Sequence, residues 1–224
     1  MATLRVVSLF KSASTVSLLT LVSRITGLAR ELLMASAFGA SALTDAFNVA
    51  FRIPNLFRRL FAEGAFSQAF VPVLAASKAR NTEAQTRHLI DQVATVLAWV
   101  LVLVSLVGVL ASPLMVWVLA SGLRQSPEGY DAAVLMTRLM FPYIACMSLV
   151  ALAAAVLNTW RHFVVPAATP VLLNVCMIAA AWFGAPAFAR LGIEPIYAMA
   201  VGVMLGGLLQ LLSLIHISEP TRLR

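Results

Sequence analysis

Long apolar runs, separated by short segments where charges, Gly and Pro collect, set the pattern of this chain. A helix that crosses a bilayer needs about 20 consecutive, mostly apolar residues, because the hydrocarbon core is about 30 Å thick and each residue advances about 1.5 Å. Six stretches reach that length, at approximately 13–37, 44–74, 89–121, 133–157, 164–187 and 195–215. The third is the cleanest, running from Val93 to Ala120 without a charge, and the fourth to sixth hold only Arg138 among them. Those four predict spanning helices on hydropathy alone. The first two are apolar at helical length but are interrupted by Arg24, Arg30, Glu31, Asp45, Arg52, Arg58, Arg59 and Glu63. The class this predicts is an all-α, polytopic membrane protein with about six transmembrane helices.

Composition excludes the soluble alternative. Of the 224 residues 61% are hydrophobic and 11% charged, whereas a soluble domain carries roughly 25% charged residues. The mean hydropathy is +0.93, more apolar surface than a core of this size can hide from water. A formal charge of +7 would suggest nucleic acid in a soluble domain, but the basic residues form no solvated patch and no nucleic-acid partner is expected. Lys and Arg in short connections are retained on the cytoplasmic side. With the N-terminus inside, the inner segments hold Arg5, Lys11, Lys78, Arg80, Arg87 and Arg161, and the outer ones only Arg124 and Arg190, so the N-terminus is expected in the cytoplasm. Arg5 and Lys11 precede an apolar stretch, as in a signal peptide, but no small-residue cleavage site follows, which makes the stretch an uncleaved first span. Cys146 and Cys176 lie inside apolar runs without partners at motif spacing, so they read as packing residues and neither a disulfide nor a metal site is expected. The stretch 211–224 ends in SLIHISEPTRLR, which resembles translated sequencing-adapter read-through and is expected to be a non-native tail.

The charges inside the first two spans are the candidate chemistry. Charged groups near the bilayer centre are costly and usually face a bundle interior or a wet cavity; near a helix end they can snorkel to the headgroups instead. Midpoints of the predicted spans put Arg24 at the centre of the first and Arg58 and Arg59 at the centre of the second. Arg30 and Arg52 lie six residues further out on their respective helices, about 9 Å, so two adjacent helices would present arginines at two matching levels. On the second helix Asp45, Asn48, Arg52, Asn55, Arg59 and Glu63 form one polar stripe at helical spacing, with Arg58 about 100° away. Pro54 lies within that span and can rotate one half of the stripe against the other. Glu31, Asp45 and Glu63 supply three negative charges against five arginines, leaving a positive surplus that asks for an anionic ligand. The guanidinium fork suits phosphate oxygens bidentately, which favours phosphate or pyrophosphate over a purely structural ion-pair network. No phosphate loop, paired catalytic carboxylates, Ser/His/Asp arrangement or metal-ligand spacing is present; His88 and His162 read as solvated loop residues, and no cofactor is implied.

The runs SRITGLARE (Ser23 to Glu31) and FGASALTDAFNVAFRIPNLFRRLFAEGAFSQAFVP (Phe38 to Pro72) closely resemble the MurJ (MviN) family of lipid II flippases. FPYI (Phe141 to Ile144), LNTW (Leu157 to Trp160) and VPAATPVLLN (Val165 to Asn174) follow in the family's order, so the likeness covers about 1–210. The resemblance implies an N-terminal lobe of a transporter of the multidrug/oligosaccharidyl-lipid/polysaccharide superfamily, built around a central cationic cavity. It implies lipid II, an undecaprenyl-pyrophosphate-linked peptidoglycan precursor, as the cargo, moved across the bacterial cytoplasmic membrane without bond chemistry. Carried onto this sequence, the candidate substrate-binding residues are Arg24, Arg30, Arg58, Arg52, Asp45 and Glu31, with Arg52 standing where the family often has lysine. The stripe favours Arg59 and the resemblance Arg58; with Pro54 between the two halves, Arg58 is retained. Two other readings stand beside this one: export of another lipid-linked oligosaccharide, or a membrane scaffold for cell-wall synthesis proteins whose arginines pair with a partner's carboxylates.

Overall fold

A computed structural model describes residues 2–58, 66–160 and 162–218, and every regular element among them is helical. In chain order these are α1 (Ala2–Phe38), α2 (Ala42–Arg58), α3 (Phe66–Arg80), α4 (Glu83–Leu119), α5 (Pro127–Met140), α6 (Tyr143–Thr159), α7 (Val164–Ala179), α8 (Ala185–Arg190) and α9 (Tyr197–Ser218). A 3₁₀ segment, Ser121–Gln125, precedes α5, and a π-helical turn, Ala180–Gly184, joins α7 to α8.

The helix limits follow from local chemistry. Gly39 has φ of 61°, a left-handed conformation that reverses the chain between α1 and α2 at no Cβ cost. Ser41 Oγ then accepts from the Thr44 backbone N–H at 3.1 Å, capping α2, and Asp45 sits in the first turn where the helix dipole favours an acid. Thr82 and Gln85 form a capping box at the start of α4. Ser126 caps α5 with Pro127 in its first turn.

Four helical stretches are long and apolar enough to cross a membrane: Glu83–Leu119, Pro127–Thr159, Val164–Arg190 and Tyr197–His216. They coincide with the third to sixth predicted runs, two of them in a more broken form. Pro142 has no N–H to continue the ladder, so the fourth run divides into α5 and α6; the π turn divides the fifth. Within the second predicted run, 44–74, the described residues form α2, through Arg58, and α3, from Phe66; residues 59–65, in the middle of that run, lie outside the described residues.

Packing centres on α9, which lies against α5, α6 and α7. Small residues let the helices approach: a Cβ on Gly207 would stand 2.6 Å from the Tyr143 ring, and one on Gly206 2.8 Å from Leu173 Cδ1. Phe47 and Ile53 of α2, Met136 and Met140 of α5, Ile144 of α6 and Met199 of α9 are buried in one continuous core. The first two predicted spans do not lie side by side as expected; α1 packs chiefly along α7, and α2 along α5. At the other end of the bundle α3 seats Phe70 and Leu74 against α4 and α6. Lys78 Nζ donates to the Thr159 carbonyl at 2.9 Å and stands 4.4 Å from the centre of the Trp160 ring. The result is an all-helical, multi-pass membrane protein.

Candidate functional site

Ser23, Thr26, Gly27, Arg30 and Met34 follow helical spacing and form the stripe of α1 that meets α7. Asn174 of α7, 6% exposed, reaches across to it. Its Nδ2 donates to the Ser23 carbonyl at 3.0 Å and to Thr26 Oγ1 at 3.1 Å, while its Oδ1 accepts from Arg30 Nη1 at 3.2 Å. Arg30 has only donors, which fixes the amide with its oxygen toward the guanidinium. Nη1 also approaches Met177 Sδ at 3.7 Å, and Nη2 is ion-paired with Glu31 Oε1. The Arg30 side chain is 16% exposed and that of Glu31 61%, so the pair has one member packed between helices and one outside. Arg30 Nε is buried and meets no acceptor.

Met177 is the middle residue of the stretch Val164–Arg190, so the structure sets the Arg30 guanidinium at mid-depth of that span. The predicted midpoint of the first run assigned that depth to Arg24, which lies about 9 Å nearer the N-terminal end. Hydropathy fixes the length of a span, whereas its offset along the membrane normal is set by the helix it packs on. Arg24 is exposed and, six residues from Arg30, points about 120° away around α1. It shares a face with Glu31 rather than with Arg30. The two arginines of α1 therefore occupy two levels and two different faces.

On α2 the polar stripe coincides with the uncovered face. Asp45, Asn48 and Arg52 are exposed and Asn55 is half-buried, whereas Ala46, Phe47, Ala50 and Ile53 are buried on the opposite side. Arg52 lines a groove of about 370 Å³ with Val49, Ile53, Asn55, Leu56 and Leu119. Asp45, seven residues earlier, lies about 10 Å away along the axis and is not drawn into contact with the arginines. Among the described residues Arg24, Arg52 and Asp45 have no ion-pair partner. Arg58 is the last residue of α2, and its side chain, like Arg59 and Glu63 entirely, lies outside the described residues.

The described side chains of α1 and α2 thus present Arg24, Arg30 and Arg52 against Glu31 and Asp45. Arg30 alone is ion-paired, through Nη2 to the exposed Glu31, and its Nε stays without an acceptor, while Arg24 and Arg52 have no ion-pair partner among the described residues. Such a surface can hold an anion, and nothing in it offers a nucleophile with a base. The residue that sequence reading left without a role is Asn174. Its signal was present, since an amide in an otherwise apolar spanning run needs a partner within the membrane, but the identity of that partner depends on the α1–α7 pairing.

Comparison with known proteins places these features in context. A model of the family described as lipid II flippase MurJ matches residues 34–222. The lipid II flippase MurJ of Burkholderia cenocepacia is 55% identical over 205 residues, covering 92% of this chain and 39% of that protein. The probable lipid II flippase MurJ of Vibrio cholerae is 43% identical over 211 residues, again 39% of its length. A solved structure, lipid II flippase MurJ in an inward closed conformation, superposes with a TM-score of 0.74 at 27% identity, covering 91% of this chain and 41% of that one. The chain spans about 39% of the length of the curated relatives it matches.

Proposed function

The chain belongs to the lipid II flippase MurJ family, and from that premise we propose that it forms the N-terminal lobe of a transporter that passes lipid II across the bacterial inner membrane. The N-terminus and the α3–α4 corner face the cytoplasm, as the distribution of Lys78, Arg80 and Arg87 favours. The lobe rocks against a second one so that a shared cavity opens first inward and then outward. Open arginines bind the pyrophosphate in that cavity while the lipid tail stays in the bilayer. No bond is made or broken; the work is binding and release.

One observation carries the reading: Arg52 lies on the exposed polar face of α2, without an ion-pair partner among the described residues and opposite a buried apolar face. A fixed positive charge there is costly unless an anion or water meets it. In cells that depend on the complete transporter, Arg52→Ala is expected to abolish growth and to remove lipid II from reach of a water-soluble probe applied outside. Arg52→Lys, which keeps the charge, is expected to retain most activity. Intact flipping by Arg52→Ala would sink the proposal and favour a scaffold role.

A further inference from the structure

We propose that Asn174 is a positioning residue for the anion site: it holds the Arg30 guanidinium at mid-depth without adding a second counter-charge to the exposed Glu31 already on Nη2. The proposal rests on the flippase reading above. Three bonds, to the Ser23 carbonyl, Thr26 Oγ1 and Arg30 Nη1, use the amide's acceptor and both its donors on α1. Asn174 is buried, whereas its partner Arg30 keeps Nε without an acceptor and shares Nη2 with a largely exposed Glu31. A neutral amide is the side chain that satisfies this geometry: it accepts from the guanidinium without cancelling its charge and donates to a helical carbonyl and hydroxyl at the same time. A carboxylate in its place would hold Arg30 more strongly and take the charge out of use. The close approach of α1 supports this fit, since a Cβ on Gly27 would stand 3.5 Å from Asn174 Nδ2.

The two roles open to Asn174, tethering α1 to α7 and presenting a charge, separate when two variants are compared. Asn174→Asp keeps the bond from Arg30 but loses both donations to α1 and adds a counter-charge, whereas Asn174→Leu loses all three bonds and adds none; a tether alone makes Leu at least as damaging as Asp, and charge presentation makes Asp the worse. The measurement is the affinity of the purified complete transporter for undecaprenyl pyrophosphate in detergent, with thermal unfolding followed in parallel. Asn174→Asp is expected to bind about tenfold more weakly or worse, and more weakly than Asn174→Leu, with an unfolding temperature lowered no further than in that variant. Asn174→Leu, similar in size and uncharged, removes the bonds without neutralising Arg30 and is expected to weaken binding several-fold; it serves as the readout if the Asp variant does not fold. Parental affinity in either folded variant, alongside a loss of binding in Arg52→Ala, would overturn the positioning role and leave the arginine reading standing. Parental affinity in Arg52→Ala itself would remove the anion site on which both rest.

Discussion

Arg24 and Arg30 share a helix and a chemistry, and the α7 surface gives them different duties. Arg30 sits in the stripe with Ser23, Thr26 and Gly27 and is clasped by Asn174, while Arg24 projects away from α7 and stays open. A like contrast of surroundings governs small residues. A Cβ on Gly108 of α4 would lie 1.8 Å from Phe141 Cε1, and that ring is 1% exposed, so it has nowhere to retreat. Gly108→Ala is therefore expected to destabilise the complete protein by about 1–3 kcal/mol, read as a lowered unfolding temperature. At this scale the α2 stripe was legible, because Asp45, Asn48 and Arg52 alternate with Ala46, Phe47, Ala50 and Ile53 at a helical period that burial then follows. The Asn174 network was not, because its partners are nearly 150 residues distant in sequence.

Between residues and the whole stand the helices, and here α3 shows what one basic side chain does. Lys78 bridges to the last carbonyl of α6, that of Thr159, and covers the Trp160 ring, closing the corner that Ser77 and Thr86 seal through a buried hydroxyl pair at 3.2 Å. Lys78→Ala is expected to loosen α3 by about 1 kcal/mol, visible as faster hydrogen exchange across Phe66–Arg80 with little change in α9. The third to sixth predicted runs were readable because continuous apolar length has no other solution in a bilayer. For the run 44–74 the described residues give α2 and α3 at its two ends, and its charged middle, 59–65, lies outside them.

For the molecule as a whole, α1 is attached along one side only. Leu18, Ile25, Leu28 and Leu32 are each more than half exposed, and the polar face of α2 is uncovered. Apolar exposure is tolerable in lipid, but the Asp45–Arg52 face is not. Residues 1–210 produced alone are therefore expected to run as aggregates on size exclusion in mild detergent, and co-production with the remaining spans of the transporter is expected to recover a single species. The π turn at Ala180–Gly184 carries a different kind of consequence. A π turn holds one more residue than the α-helix around it, so the screw thread of Val164–Arg190 is spliced, and Phe188 and Arg190 are out of phase with Asn174 by about one residue's rotation. Losing one residue inside the splice would let the thread run true while leaving the α1-facing half untouched; the same loss just ahead of Asn174 would swing that amide about 100° off its partners. Chain length in this rod is thus fixed most strictly ahead of Asn174, while the splice is held by its packing on α9, where a Cβ on Gly202 would stand 2.6 Å from Ala180 Cβ.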